Sequence, residues 1–222
     1  MDCFSLFLHR NTMSYKIKEI YYTLQGEGAQ TGRPAVFCRF TGCNLWTGRE
    51  QDRHKAICQF CDTDFWGVDG ENGGQYSAVD LAGKCASLWG DLSKGRPYVV
   101  CTGGEPLLQL DEALIAEFHR IGFQVAVETN GTQPAPAGLD WVCVSPKAGA
   151  DLVLTSGDEL KLVFPQPTAM PYLFENLDFG HFFLQPMDGP RQAENTRAAI
   201  DFCKANPQWR LSIQTHKLLD IP

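Results

Sequence analysis

Short apolar runs alternate with amphipathic stretches along most of the chain. The apolar and β-branched runs predict seven strands, at residues 36–40, 98–101, 125–127, 141–144, 160–164, 182–184 and 211–213. Apolar positions at helical spacing predict helices at residues 78–92, 111–121 and 192–205. Continuous apolar strands that alternate with amphipathic helices indicate a mostly parallel sheet, because both faces of such a sheet are covered.

Polar and glycine-rich motifs follow the predicted strands. YVVC leads into TGGEP, VAV into ETNG, WVCV into SPK, FFL into QPMDG and LSI into QTHK. This layout is typical of a (β/α) barrel, in which the active site lies across the strand C-terminal ends. Seven strands and three helices are too few for eight repeats. We therefore expect an α/β fold, a partial (β/α) barrel of mostly parallel strands.

The length of 222 residues suits one domain, and no internal repeat divides it. The Gly- and Pro-containing segments at residues 67–76 and 132–138 are expected to be loops within that domain. The opening MDCFSLFLHRNT has Arg10 after its short apolar patch and lacks a cleavage site, so it does not resemble a signal peptide. We expect residues 1–12 to be a disordered extension and residues 13–222 to be the domain.

Composition narrows the class of function. Hydrophobic residues make up 44% and charged residues 20%, and no apolar run approaches the roughly 18 residues of a membrane span. Nineteen Lys and Arg against 26 Asp and Glu leave a net charge of -7, which argues against a nucleic-acid or membrane surface and favours a small-molecule substrate. Nine cysteines, an odd number in a chain of this size, indicate a reducing compartment and hence the cytoplasm.

Three cysteines have the spacing of a metal site. Fourteen residues separate Cys43 from Cys58, and two separate Cys58 from Cys61. Three thiolates suit a [4Fe–4S] cluster with one open iron, whereas a structural zinc normally takes four ligands. His54 could complete such a zinc site, so the spacing alone also allows a zinc-stabilised binding module. Cys38 lies inside a strand, and nothing requires it as a further ligand.

The motifs QGEG, CRFTGC, CQFCDTDF, CTGGEP, ETNG, SPK, QPMDG and QTHK, in this order, resemble the 7-carboxy-7-deazaguanine synthase family of radical S-adenosylmethionine (SAM) enzymes. The resemblance covers residues 15–222. The usual radical SAM pattern has three residues between the first two cysteines, but some members of this family carry a longer insertion there. The resemblance implies a partial barrel of the radical SAM type and a cluster on Cys43, Cys58 and Cys61, and it disfavours zinc.

The resemblance also implies a reaction. A 5′-deoxyadenosyl radical from SAM takes a hydrogen from C6 of 6-carboxy-5,6,7,8-tetrahydropterin, and the ring contracts with loss of ammonia to give 7-carboxy-7-deazaguanine, a step in queuosine biosynthesis. Mg²⁺, a homodimer and an electron donor such as flavodoxin are implied as well. The alternative within the superfamily is another radical SAM enzyme, such as one that activates a protein partner.

Site residues follow from the matched motifs. For SAM they are Phe60, Cys61, Asp62, Gly104, Glu105, Ser145, Pro146, Lys147, Gln185, Pro186, Met187 and Asp188. For the substrate they are Leu24, Gln25, Gly26, Glu27, Arg39, Thr102, Glu128, Asn130, His216 and Pro222. Thr63 is the implied magnesium ligand, which requires substrate and water to supply further oxygens.

The side-chain chemistry suits these roles. Glu105 offers an acceptor for the amine of SAM, and Arg39 offers a cation for the substrate carboxylate. Carboxylate and amide groups of Glu27, Glu128 and Asn130 match the amino-pyrimidinone edge of a pterin. Ordinary structural roles stay open, namely a surface pair between Arg39 and Glu27 and a structural role for His216.

Overall fold

The structure is a computed structural model that describes residues 14–222, so the expectation for residues 1–12 lies outside the described residues. These residues form one sheet of nine strands in the order β3-β1-β2-β4-β5-β6-β7-β8-β9. The strands are β1 (Tyr15–Leu24), β2 (Pro34–Phe40), β3 (Gly74–Tyr76), β4 (Tyr98–Gly103), β5 (Gln124–Thr129), β6 (Trp141–Val144), β7 (Ser156–Phe164), β8 (Asp178–Pro186) and β9 (Trp209–Leu211).

The sheet is largely parallel and open. β1 runs antiparallel to β2 and β3, whereas every neighbouring pair from β2 to β9 is parallel. The sheet begins at β3 and ends at β9, and its strand order does not close into a ring. The predicted fold class, a partial barrel of mostly parallel strands, is confirmed.

Four α-helices accompany the strands: α1 (Ala78–Trp89), α2 (Glu112–Arg120), α3 (Gln192–Ala205) and α4 (Thr215–Leu219). Ser77 caps α1 by accepting a hydrogen bond from the backbone N–H of Asp80, and Asp111 caps α2 in the same way through Leu114. α1 ends before Gly90, whose φ of 84° a side chain would disfavour, so the predicted end at residue 92 was too late. Within residues 14–222, no helix has the length and hydropathy needed to cross a membrane.

Alternation along the strands separates the helix-covered face from the face that bounds the site. Cys38 and Phe40 pack with Leu81 and Phe118 beneath α1 and α2, and Trp209 packs in a second cluster with residues of α3. Successive side chains of a strand point to opposite faces, so Arg39, between Cys38 and Phe40, faces the other way. The outer face therefore carries most of the core. The inner face carries a smaller apolar cluster that includes Phe37 and Val100, and beyond it the polar side chains of the site.

Three parts of the sheet differ from the prediction. β1 was not predicted as a strand, and β3 lies inside the 67–76 segment that was predicted to be a loop. The last strand is Trp209–Leu211 and not residues 211–213. Trp209 is only 2% exposed, whereas Leu211 and Ile213 are exposed, so burial of the indole places the strand two residues earlier.

Candidate active site

The inner face of the sheet and the loops at its strand ends enclose a cavity of about 360 Å³. That size is within the range of small-molecule sites, roughly 300 to 1,000 Å³. Side chains from β1, β2, β4, β5, β7 and β8 reach the cavity, together with the loop after β2 and the C-terminal segment. Residues that are far apart in the sequence therefore share one site.

Cys43, Cys58 and Cys61 lie in the long loop after β2 and all line this cavity. A hydrogen bond with the Cys58 thiol lowers the pKa of Cys61 to about 6, while burial raises the pKa of Cys43. Within residues 14–222 no three His, Cys, Asp or Glu side chains already stand together in ligating geometry. The donor set nevertheless fits an iron–sulfur cluster, since three thiols open onto one space and one of them favours the thiolate.

Aromatic and cationic side chains hold the cysteine loop in shape. The guanidinium of Arg53 lies 4.1 Å from the ring centroid of Trp46, and its Nη1 donates to the carbonyl oxygens of Gln59 and Cys61, both at 3.0 Å. Trp46 also packs edge-to-face on Phe65, with 5.5 Å between the ring centroids. These contacts fold the insertion back over the last two cysteines.

His54 belongs to the short 3-10 helix Glu50–Lys55 within the same loop. Its side chain is exposed and does not line the cavity. The zinc alternative required His54 beside the three thiols, so the geometry removes its fourth ligand.

The turn after β4 packs directly on the first cysteine. A Cβ atom at Gly104 would lie 2.0 Å from the carbonyl oxygen of Gly42 and 3.0 Å from the Cβ of Cys43. The backbone N–H of Glu105 donates to that same Gly42 oxygen at 2.8 Å. Only glycine allows this approach, so the TGGE motif sets the position of Cys43 through backbone contact.

Glu105 occupies a different place from the one predicted for a ligand of SAM. Its side chain is fully buried and is not part of the cavity wall. The carboxylate accepts hydrogen bonds from Leu107 N at 3.0 Å, Thr129 Oγ1 at 2.7 Å and Asn130 N at 2.8 Å. Burial raises its pKa, although these donors oppose the shift. Glu105 therefore joins the TGGE turn to the ETNG motif.

Arg39 stands on the inner face of β2 with partners from β1. Its Nε donates to Glu19 at 2.7 Å, and its Nη2 donates to the hydroxyl of Tyr21 at 2.9 Å. The alternative surface pair between Arg39 and Glu27 is wrong, because Glu27 pairs instead with Lys161. The guanidinium is thus held at the cavity by a carboxylate that the sequence did not indicate.

Two carboxylates meet one ammonium at the centre of the cavity wall. Lys161 Nζ lies 2.5 Å from Glu27 Oε2 and 3.3 Å from Glu128 Oε1. Glu128 also accepts from Gln25 Nε2 and from Thr102 Oγ1, each at 3.1 Å. This cluster joins the QGEG loop to β4, β5 and β7.

The C-terminal segment closes one side of the cavity. Lys217 of α4 bridges Asp62, at 2.6 Å, and Asp188, at 2.5 Å, while Gln214 donates to Asp62 at 3.3 Å and to Glu27 at 3.0 Å. The last helix therefore connects the cysteine loop, the QPMD motif and the QGEG loop.

The end of the chain returns to β1. The carbonyl oxygen of Pro222 accepts a hydrogen bond from Thr23 Oγ1 at 3.0 Å, and both Pro222 and His216 line the cavity. A Cβ atom at Gly26 would lie 2.2 Å from His216 Nδ1, so the imidazole packs where only glycine leaves room.

Comparison with known proteins gives the same picture over nearly the whole chain. The chain is 64% identical to 7-carboxy-7-deazaguanine synthase of Caulobacter vibrioides over 211 residues, which are 95% of this chain and all of that protein. It is 58% identical to the same enzyme of Burkholderia multivorans, again over 95% of this chain and all of the relative. The chain belongs to the 7-carboxy-7-deazaguanine synthase family. No family model matches.

A solved structure supports the fold of this 7-carboxy-7-deazaguanine synthase family member. The crystal structure of QueE from Escherichia coli superposes with a TM-score of 0.67 at 28% identity, covering 91% of this chain and 94% of that one.

The structure brings together most residues that the family motifs indicated. Of the predicted cysteine, magnesium, SAM and substrate residues, Glu105 and Pro146 are the two that do not line the cavity. The carbonyl oxygen of Pro146 accepts a hydrogen bond from Gln166 at 3.3 Å, beneath the SPK turn. Both residues shape turns whose neighbours, Gly104 and Lys147, reach the cavity.

Several cavity residues were missed in the sequence. The polar ones with side-chain contacts to predicted site residues are Glu19, Tyr21, Thr129, Lys161, Gln214 and Lys217. A signal existed for Lys161, since GDELKLVF places charges two residues apart in an otherwise apolar strand, and such charges share one face. Lys217 belongs to the QTHK motif, but its partners come from distant loops, so the motif did not indicate which groups it would meet.

Proposed function

We propose that this chain converts 6-carboxy-5,6,7,8-tetrahydropterin to 7-carboxy-7-deazaguanine with loss of ammonia, as the names of its relatives indicate. The observation that carries the proposal is a single cavity with two kinds of wall, one bearing three cysteines and the other bearing Arg39 and a pair of carboxylates. The first suits a radical-generating cluster and the second suits an acidic pterin. A protein-activating radical enzyme would not need the second wall.

Cys43, Cys58 and Cys61 would hold a [4Fe–4S] cluster with one open iron. SAM bound there would supply the 5′-deoxyadenosyl radical that removes the C6 hydrogen. The residues proposed around SAM are Phe60, Asp62, Gly104, Ser145, Lys147, Gln185, Pro186, Met187 and Asp188, which belong to the cavity wall. Glu105 and Pro146 would act through the turns that they hold.

The substrate would lie between Arg39 and the carboxylates. Arg39 would pair with the substrate carboxylate, since a guanidinium binds a carboxylate with two parallel hydrogen bonds. Glu27, Glu128 and Asn130 would take the amino-pyrimidinone edge. Leu24, Gln25, Gly26, Thr102, His216 and Pro222 would complete the pocket.

Thr63 would be the magnesium ligand, with the remaining oxygens supplied by substrate and water. Mg²⁺ keeps several waters and is often held by few protein groups together with its substrate. Thr63 follows Asp62 in the cavity wall, and Asp64 is paired with Lys18 at 2.9 Å. Because Asp64 is engaged by Lys18, the hydroxyl of Thr63 is the more available of these two side chains for a metal ion.

The wider setting of the enzyme follows from the same family. We expect residues 13–222 to act as one domain in the cytoplasm, as a homodimer that receives electrons from a flavodoxin-type donor. The product would enter queuosine biosynthesis.

The decisive experiment is anaerobic incubation of the reconstituted protein with SAM, a reductant, Mg²⁺ and 6-carboxy-5,6,7,8-tetrahydropterin, followed by mass spectrometry. The expected product is 7-carboxy-7-deazaguanine, and its formation should require all of these components. Cleavage of SAM without a deazapurine would favour another radical SAM reaction. Stoichiometric zinc without iron or sulfide would overturn the radical chemistry altogether.

A further inference from the structure

Lys161 is a buried cation that no motif in the sequence singled out. It lies in the middle of β7, where Leu160 and Leu162 on either side belong to the apolar core. Its side chain is only 6% exposed and points to the inner face, into the cavity. An ammonium in such a place is costly unless it is paired.

The pairing is with two carboxylates at once. Lys161 Nζ lies 2.5 Å from Glu27 and 3.3 Å from Glu128, and these carboxylates come from the QGEG loop and from β5. Both also line the cavity. Glu27 and Glu128 are far apart in the sequence, and Lys161 brings their carboxylates together.

Charge explains why the lysine is needed. Burial alone would raise the pKa of Glu27, but Lys161, with help from Gln214, lowers it to about 2. Two like charges this close in a buried cavity would otherwise force one carboxyl to take up a proton. The other charged or titratable groups that face this cluster from the elements around it are Asp62, Glu159, Cys143, Lys147, His216, Arg39, Tyr21 and Tyr98.

We propose that Lys161 is a positioning residue for the substrate: its ammonium holds the carboxylates of Glu27 and Glu128 side by side and charged, so that both accept N–H groups from the amino-pyrimidinone edge. This inference rests on the proposed function. A carboxylate accepts hydrogen bonds through both oxygens, whereas a protonated carboxyl presents a donor where the pterin also presents donors. Loss of the lysine would therefore weaken pterin recognition without touching the cluster.

The test is an anaerobic titration of reconstituted protein with 6-carboxy-5,6,7,8-tetrahydropterin at several pH values. Wild-type Kd should vary little across the neutral range, because the Lys161 ammonium lies between the two carboxylates. In Lys161→Met, Kd should rise about tenfold or more at neutral pH. It should fall again as the pH increases, with a limiting slope of about tenfold per pH unit below the raised carboxyl pKa. Iron content and SAM affinity should stay at the wild-type level.

Two further variants separate charge from structure. Lys161→Arg keeps the cation and should restore the flat pH dependence, even if the shape of the guanidinium alters Kd by a few-fold. Lys217→Met is the matched control, because Lys217 also bridges two carboxylates in this cavity but touches neither Glu27 nor Glu128. It should keep the flat pH dependence for the pterin, whatever it does to SAM.

The outcomes are distinct. A Lys161→Met protein whose Kd is unchanged, or raised equally at every pH, would overturn the inference. If this variant does not fold, Lys161→Gln, which removes the charge but keeps a side chain able to donate to both carboxylates, is titrated in its place. A Kd there that is unchanged, or raised equally at every pH, would equally overturn the inference. Wild-type protein that binds the pterin but forms no deazapurine would end the proposed function while leaving the test of Lys161 intact. Failure of wild-type protein to bind the pterin would overturn both.

Discussion

Single residues decide how closely the walls of the cavity approach each other. Gly104 lets the TGGE turn touch the backbone before Cys43, and Gly26 leaves room for the imidazole of His216. The carboxylate of Glu105, which was predicted to bind SAM, accepts hydrogen bonds from three buried donors. Gly104, Gly26 and Glu105 therefore act by fixing the positions of neighbouring residues that line the cavity.

Replacing Cys43, Cys58 or Cys61 singly by Ala should abolish turnover and prevent a stable four-iron cluster, because two thiolates cannot hold it. Cys38→Ala is the matched control, since Cys38 lies in the outer core and not in the cavity wall. It should keep its cluster and activity at a cost of about 1 kcal/mol in the free energy of unfolding. Iron and sulfide analysis together with turnover measurements tests this prediction. A fully active Cys58→Ala protein would contradict the cluster assignment.

Glu105→Ala and Arg39→Ala should separate the SAM side of the cavity from the pterin side. Removing the Glu105 carboxylate leaves three donors without a partner, so unfolding free energy should fall by about 3 kcal/mol and SAM binding should weaken through the TGGE turn. Arg39→Ala should mainly weaken pterin binding. Thermal unfolding and separate titrations with SAM and pterin measure these effects; the reverse pattern of binding would show that the two sides are misassigned.

At the scale of whole elements, the loop after β2 and the C-terminal helix form the parts of the cavity wall that the sheet does not supply. The loop folds back through Arg53 and Trp46, and α4 ties it to the QPMD motif through Lys217. The loop also buries Leu45, Trp46 and Phe65, whereas α4 has no buried residue. Ion pairs and hydrogen bonds with separate loops therefore hold α4, and apolar packing adds to them in the loop.

Deleting Ile221 and Pro222, or adding a C-terminal tag, should weaken pterin binding and leave cluster content and SAM affinity nearly unchanged. Pro222 lies in the cavity wall and is anchored by Thr23, and the backbone N–H of Ile221 donates to the carbonyl oxygen of His216. Removing them loosens the segment that carries His216. Steady-state kinetics of tagged and untagged protein provide the measurement, and wild-type kinetics from a tagged chain would refute the role.

At the scale of the whole molecule, one open sheet supplies both walls of the site. The seven parallel strands from β2 to β9 bear helices on one face and polar side chains on the other. Every residue of the cavity wall falls between Glu19 and Pro222. The described residues alone therefore supply both the cysteine wall and the polar wall of the site.

A variant without residues 1–12 should bind its cluster, SAM and pterin as the full chain does and should unfold at the same temperature. The relative from Caulobacter vibrioides matches along its entire length within 95% of this chain, and the cavity wall that the structure describes is built from residues between Glu19 and Pro222. Activity assays and thermal unfolding of the two forms compare them directly. A loss of activity on deletion would show that the segment contributes to the enzyme.

The sequence by itself determined the alternation of strand and helix, the parallel sheet and the motif-bearing strand ends, because each depends on local periodicity and turn chemistry. The third helix has the bounds that its periodicity predicted, Gln192–Ala205. The spacing of the cysteines likewise indicated a metal site, and the resemblance to the family favoured a cluster over zinc. β1 and β3 were missed because their stability comes from pairing with partners distant in the chain.

Only the tertiary structure decided which polar side chains share the cavity. The neighbours Gly104 and Glu105 separate, one into the wall and the other into the interior, because burial depends on what packs around a turn. Lys161 meets Glu27 across 134 positions of the chain, and Lys217 meets Asp62 across 155. Such long-range ion pairs have no local signal, since only the folded sheet and its returning C-terminal segment bring the charges together.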